Sequence, residues 1–165
     1  GKSKLRSTRL LLNYHRNFNF PAVILRLYIA FGPAQDFNRF IPIVIRNCLS
    51  DSRFPCSVGT QYRDFIYIED LIKLVIKCLT KRNITGEIFN IGSGNPVKIK
   101  DVIKTILRET GGGKPQFGKI KFRKDEIQKL YPSILKAKKM IGWSPKVKFL
   151  SGLKRTKKYY EKKYF

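Results

Sequence analysis

One apolar run, Pro21-Ala-Val-Ile-Leu-Arg-Leu-Tyr-Ile-Ala-Phe31, limits the fold of this chain more than any other stretch. A strand with one wet face alternates apolar and polar residues, whereas this run carries only Arg26 as a charge before Gly32-Pro33 closes it. It reads as a buried strand of the kind found in parallel sheets, with helices packed against it. Interrupted by Arg26 and stopped by Gly32-Pro33, it is too short to cross a bilayer, and a soluble protein is expected.

Strands and helices alternate on both sides of it. Lys4, Leu5, Leu10, Leu11, Leu12 and Tyr14 are spaced as in a helix, with basic residues between them. The chain opens on Gly1 in what reads as mid-helix, and its only methionine is Met140, so a longer parent chain is expected. Downstream, a helix is predicted over Asn38–Leu49, with Phe40, Ile41, Val44, Ile45 and Cys48 on its apolar face. Short strands are predicted over Phe54–Val58 and Phe65–Ile68, then a helix over Leu71–Leu79 with Glu69 and Asp70 at its positive end, Asp70 as a cap. A buried strand at Gly86–Ile91 ends at Gly92-Ser-Gly94, and an amphipathic helix follows over Asp101–Glu109. Gly111-Gly-Gly113 reads as a flexible loop. The last third offers a strand at Lys119–Arg123, a helix over Ser133–Ile141 stopped by Gly142-Trp-Ser-Pro145, and a basic helix from about Ser151. The class is α/β. With no repeat, heptad or low-complexity linker, residues 1–165 read as one unit without an internal boundary.

Other features exclude chemistry. Cys48, Cys56 and Cys78 have no CxxC spacing and form no even framework, and they read as reduced, partly buried thiols of a cytoplasmic protein. The single histidine, His15, reads as solvated, and no metal-ligand set is visible. A net charge of +24, from 35 basic and 11 acidic residues, meets a first criterion for nucleic-acid binding. The lysines are spread along every predicted helix, however, which favours a general surface bias over a dedicated polynucleotide site. Part of the charge can still serve a small polyanion, because a diphosphate needs an arginine or lysine clamp.

Five stretches, in order, carry a specific resemblance: Gly1-Lys-Ser-Lys4; Leu25-Arg-Leu-Tyr-Ile-Ala-Phe-Gly-Pro33; Arg63-Asp-Phe-Ile-Tyr-Ile-Glu-Asp70; Phe89-Asn-Ile-Gly-Ser-Gly94; and Arg123-Lys-Asp-Glu126 followed by Lys136-Ala-Lys-Lys-Met-Ile-Gly-Trp-Ser-Pro145. Almost the whole chain resembles the C-terminal portion of an extended short-chain dehydrogenase/reductase, in the NAD(P)-dependent nucleotide-sugar epimerase/dehydratase group. The resemblance implies the C-terminal part of a Rossmann-type parallel sheet with a smaller α/β substrate-binding subdomain. It also implies hydride transfer between NAD or NADP and a sugar-ring carbon of a nucleotide-diphosphate sugar, by epimerisation, dehydration or 4-ketoreduction. A homodimeric parent is implied as well, and a role in surface polysaccharide is faintly suggested.

By the same resemblance Lys4 is the lysine of the Tyr-x-x-x-Lys pair, whose tyrosine would be the residue immediately before Gly1. A cation one helical turn away would make that phenol usable as acid/base at neutral pH and would hold the nicotinamide ribose. On the residue alone, Lys4 is a solvated lysine at a frayed helix end. Tyr28, Gly32 and Pro33 are implied beside the cofactor at a strand end. Arg63 is the implied phosphate contact, with an ion pair to Asp64 or Glu69 as its structural alternative. Arg123 and Glu126 are implied near the nucleotide, with a surface pair between them as the alternative. Asn90 and Ser93 are candidate pocket lining or turn residues. Ile29 and Phe31 depart from the family's usual asparagine and tyrosine, and the glycine-rich dinucleotide turn does not occur in the sequence. The rival readings are a non-enzymatic basic module for nucleic acid or an anionic surface, and an inactive family member.

Overall fold

The computed structural model describes residues 1–165, and its elements alternate as α/β. In chain order they are α1 (Lys2–Phe18), β1 (Ile24–Leu27), β2 (Ile29–Phe31), α2 (Phe40–Leu49), β3 (Arg53–Cys56), β4 (Tyr62–Arg63), β5 (Phe65–Tyr67) and α3 (Ile68–Thr80). They continue with β6 (Ile88–Ile91), β7 (Val97–Lys98), α4 (Ile99–Thr110), β8 (Lys114–Phe117), β9 (Lys129–Leu130), α5 (Leu135–Ile141) and α6 (Phe149–Tyr164).

The apolar run forms two strands rather than one. β1 pairs in parallel with β6, Ile24 opposite Ile88 and Leu27 opposite Ile91, whereas β2 pairs in parallel with β5, Ile29 opposite Phe65. The exchange of partners happens at Tyr28. Its N–H donates to the Ile91 carbonyl at 3.0 Å, and the next N–H, of Ile29, donates to the Asp64 carbonyl at 3.3 Å. The backbone polar groups therefore stay paired across the switch.

Two cores follow from that split. Behind β1 and β6, residues such as Leu74, Phe89, Ile91, Ile141 and Trp143 pack under α3 and α5. Among α2, α4 and α6 lies the larger core, with Phe31, Ile45, Phe65, Tyr67, Ile103, Leu153 and Tyr160. Strand periodicity in β5 joins them: Phe65 and Tyr67 face the larger core, Ile66 between them faces the smaller, and Ile68 packs against both.

Several boundaries differ from the sequence reading. The strand predicted at Lys119–Arg123 is instead β8, Lys114–Phe117, paired in parallel with β3. Pro115 argues against a strand in sequence, yet an edge strand tolerates it because one side of its backbone needs no partner. Gly111 and Gly113 are structured: Gly111, at φ 78°, caps α4 and donates its N–H to the Leu107 carbonyl, and the Gly113 N–H donates to Asp51 Oδ1 at 2.9 Å. Asp70 is not a cap. Its buried Oδ2 accepts the N–H groups of Lys146 and Val147 at 3.0 and 2.8 Å, fastening the segment before α6 to α3. His15 is tied rather than free, its Nδ1–H donating to the Phe20 carbonyl at 2.9 Å where α1 turns into β1.

Candidate functional site

Two clefts lie on either side of the point where the strands change partners. The first, about 540 Å³, runs between the start of α1 and β1 and is lined by Lys4, Thr8 and Leu11 against residues 23–27. Lys4 sits in the first turn of α1 with its side chain exposed, and its carbonyl accepts the Thr8 hydroxyl at 3.0 Å. An ammonium placed there can meet hydroxyl or anionic groups lying along β1.

The second cleft, about 350 Å³, is apolar over much of its wall, including Ile29, Phe40, Phe54 and Ile103, and polar at one end through Gln61, Arg63 and Glu126. β4 delivers Arg63 to that end. Its Nη1 donates to the carbonyls of Tyr62 and Ile127 at 2.7 and 2.8 Å, and its Nη2 donates to a Glu126 carboxylate oxygen. The two side chains are only 14% and 21% exposed. A guanidinium held by backbone carbonyls on one side offers a fixed edge to an anion on the other, as recognition of a carboxylate or phosphate requires. Gln61 Nε2 donates to Ser57 Oγ at 3.3 Å, while its Oε1 is buried without a partner.

The alternatives left open in sequence resolve here. Arg63 pairs with neither Asp64 nor Glu69, because Glu69 is held by Arg155 at 2.9 Å. Asp64 is fully buried, and its carboxylate accepts the N–H groups of Ser93 and Gly94, pinning the Gly92-Ser-Gly94 turn after β6. Arg123 does not pair with Glu126. Its carbonyl accepts the Glu126 N–H at 3.1 Å, and its side chain is exposed.

Tyr28 is half-buried and lines a cavity of about 480 Å³ with Gln35, Asn38 and Arg39; this cavity meets the second cleft at Ile29 and Phe40. Gly32 is buried against Ile68, where any Cβ would collide, and Pro33 is half-buried beside it. Asn90 stands opposite Arg26 in the β1–β6 ladder with its side chain exposed, and the Arg63 cleft does not include it. Phe31 belongs to the larger core, ring against ring with Phe65, Tyr67 and Phe149, while Ile29 faces the second cleft.

The anchoring role of Asp64 and the orphaned oxygen of Gln61 escaped the sequence reading. The adjacency of Asp64 to Arg63 was the available signal, and it pointed to the wrong partner.

A family model described as the NAD dependent epimerase/dehydratase family matches residues 1–92. The UDP-glucuronate 4-epimerase of Thermodesulfobacterium geofontis is 32% identical over 151 residues, which are 89% of this chain and 45% of that protein. The dTDP-glucose 4,6-dehydratase of Neisseria gonorrhoeae is 28% identical over 96% of this chain and 49% of its own length. The crystal structure of UDP-glucuronic acid 4-epimerase from Bacillus cereus, in complex with UDP-glucuronic acid and NAD, matches with a TM-score of 0.89 at 32% identity. That match covers 98% of this chain and 52% of the other. The chain thus spans about half the length of the curated relatives it matches. With the family model covering more than half of its residues and the parallel α/β architecture in agreement, the chain belongs to the NAD-dependent epimerase/dehydratase family.

Proposed function

We propose that this chain supplies the substrate-side part of an NAD- or NADP-dependent enzyme acting on a nucleotide-diphosphate sugar, as an epimerase, dehydratase or 4-ketoreductase. The observation that carries the reading is Arg63, a guanidinium fixed by two backbone carbonyls at the polar end of an otherwise apolar cleft. Such a cleft suits a ligand with a flat apolar portion and a diphosphate.

The cofactor, when bound, accepts and returns the hydride. Lys4 fits a place beside it, since its exposed ammonium borders the cleft along β1 and can hold ribose hydroxyls and favour the ionised form of a neighbouring phenol. Tyr28 stands at the switch before β2, and Gly32 and Pro33 shape the backbone just after it, where the lack of a Cβ at Gly32 lets the chain lie close to Ile68. Arg63 and Arg123 supply positive charge for the diphosphate. Asn90 faces solvent on β6, and its proposed share in the site is to border the turn that Asp64 fixes. The parent is proposed to be a cytoplasmic homodimer joined through α1, which exposes Leu10, Tyr14 and Phe18; no helix is long and apolar enough to cross a membrane.

The test is turnover of UDP- and dTDP-sugars with NAD by the protein that carries this chain in its full reading frame, followed by NMR of the sugar. Lys4→Met is expected to lower turnover about 100-fold or more while leaving sugar-nucleotide affinity near that of the parent. Undiminished turnover would remove Lys4 from the mechanism. The charge of +24 supports a second reading, a polyanion-binding module; it predicts DNA affinity that falls steeply with salt and no preference for nucleoside diphosphates.

A further inference from the structure

We propose that Glu126 is a built-in stand-in for the phosphate of the ligand, occupying the Arg63 edge in the free protein and lowering affinity for anions until it is displaced. The inference rests on the assignment of Arg63 to an anion, made above.

The geometry begins with the donors of Arg63. Nη1 is spent on the carbonyls of Tyr62 and Ile127, which leaves the Nε/Nη2 edge as the face turned to a partner, and Glu126 occupies its Nη2 end. A carboxylate and a phosphate present similar paired oxygens to a guanidinium, so each fits where the other binds. They cannot share the edge, because two anions at that range repel. Glu126 also lines the cleft itself, so a ligand seated there meets it directly.

Glu126 is mounted so that it can leave. It lies on the segment 118–128 between β8 and β9, which has no regular structure. The backbone of that segment is tied at its ends, and within it the Ile127 carbonyl accepts Arg63 Nη1 and the Glu126 N–H closes a turn on the Arg123 carbonyl, so what can leave is the Glu126 side chain by rotation. At one end the Ile120 N–H donates to the Cys56 carbonyl at 3.0 Å; at the other the Tyr62 N–H donates to the Gln128 carbonyl at 2.7 Å, and β9 pairs in parallel with β4. Lys121, Arg123, Lys124 and Asp125 are exposed, and the strap meets Arg63 through the Ile127 carbonyl and through one side chain, the Glu126 carboxylate. Displacing it turns a neutral pair into an uncompensated guanidinium, so the same event that removes an anion from the cleft leaves it cationic.

Inorganic pyrophosphate, titrated calorimetrically into the full-reading-frame protein at ~0.15 M ionic strength, separates the possibilities. Glu126→Gln keeps the shape and removes the charge, and is expected to tighten pyrophosphate binding about tenfold. Glu126→Ala should do the same if the isosteric variant folds poorly. Asp125→Asn, an exposed neutral variant on the same strap, is expected to stay within about twofold of the parent, which separates the effect from net charge. Trypsin gives an independent reading: cleavage after Lys121, Arg123 or Lys124 should speed up when pyrophosphate is added, and should already be fast in Glu126→Gln. Weaker or unchanged pyrophosphate binding by Glu126→Gln overturns the proposal, as does equal tightening by Asp125→Asn. Arg63→Ala tests the underlying assignment separately. If it binds pyrophosphate as well as the parent does, the anion site itself is wrong, whatever Glu126 does.

Discussion

Asp64 shows how a single buried carboxylate can hold a site together without touching its ligand. It is fully buried, has no cationic partner, and spends its oxygens on the N–H groups of Ser93 and Gly94, so the turn after β6 is held against the start of β5 and beside Arg63. Asp64→Ala would leave two N–H groups without their acceptor and is expected to cost roughly 2–4 kcal/mol, read as a shift of the urea midpoint. A shift within error would show that water replaces the carboxylate. Tyr160 gives a pH-dependent counterpart. Burial, reinforced by the neighbouring Tyr159 and Tyr164, pushes its phenol from 10.0 up to about 12, and burial pushes the Cys48 thiol from 9.0 to about 11. Both groups are neutral when protonated, and the folded chain holds those protons more tightly than the unfolded one. Their contribution to stability is therefore complete below pH 9, declines as the unfolded groups ionise, and is gone once pH passes about 12. Melting temperatures measured across that range should fall, and Tyr160→Phe should flatten the part above pH 10 while losing the hydrogen bond to the Gln35 carbonyl. A slope unchanged in the phenylalanine variant would place the alkaline transition elsewhere. At this scale Arg63 and Glu126 could each be singled out in sequence, but not as partners of one another. Arg63 meets a carboxylate 63 positions away and Asp64 meets N–H groups 29 and 30 positions away, and local spacing carries no information about such pairings.

Most helices were legible as elements, because apolar periodicity marks a helix that covers a core: α2, α3 and α4 lie within a few residues of where the pattern put them. The strands were harder. Residues 21–31 satisfy every local requirement for one buried strand, and the break at Tyr28 exists only because β6 and β5, supplied from distant parts of the chain, offer different ladders to its two halves. The two-residue strands β4, β7 and β9, which carry and flank Arg63, are too short for any period to register. The α6 helix meets β5 through a contact that periodicity also conceals. Gly152 lies against the Tyr67 ring, where an added Cβ would fall 2.6 Å from Cδ2 and 3.1 Å from Phe31 Cζ. Replacing a helical glycine by alanine ordinarily gains about 1 kcal/mol, whereas overpacking a rigid core costs about 1–3 kcal/mol. Tyr67 is buried and packed edge-on against Phe31, so it has little room to yield, and the cost should win. Gly152→Ala is expected to lower the melting temperature. A rise would mean that α6 shifts off β5 without penalty.

On the scale of the whole molecule, charge and apolar exposure act against each other. The chain carries +24, yet α1 exposes Leu10, Tyr14 and Phe18, and α3 exposes Ile72, Ile76 and Leu79, the last with 81% of its surface accessible. Apolar faces of that extent drive association, and a charge of that size opposes it when the partner is another copy. The two readings of the basic surface therefore predict opposite responses to salt. The proposed self-association through α1 would bring like charges together, so raising ionic strength from ~0.05 to ~0.3 M shortens the screening length and should tighten such a dimer. Nucleic-acid binding gains its affinity from released counterions and should weaken over the same range. Light scattering of the full-reading-frame protein across that series decides the first, and a parallel titration with DNA decides the second. Leu10→Glu tests whether the proposed dimer joins through α1: it introduces a charge into the apolar face and is expected to yield monomer without changing the helix content, since glutamate is a good helix former. A dimer that survives the substitution, or that dissociates as salt rises, would move the interface away from the apolar face of α1 and onto contacts between opposite charges.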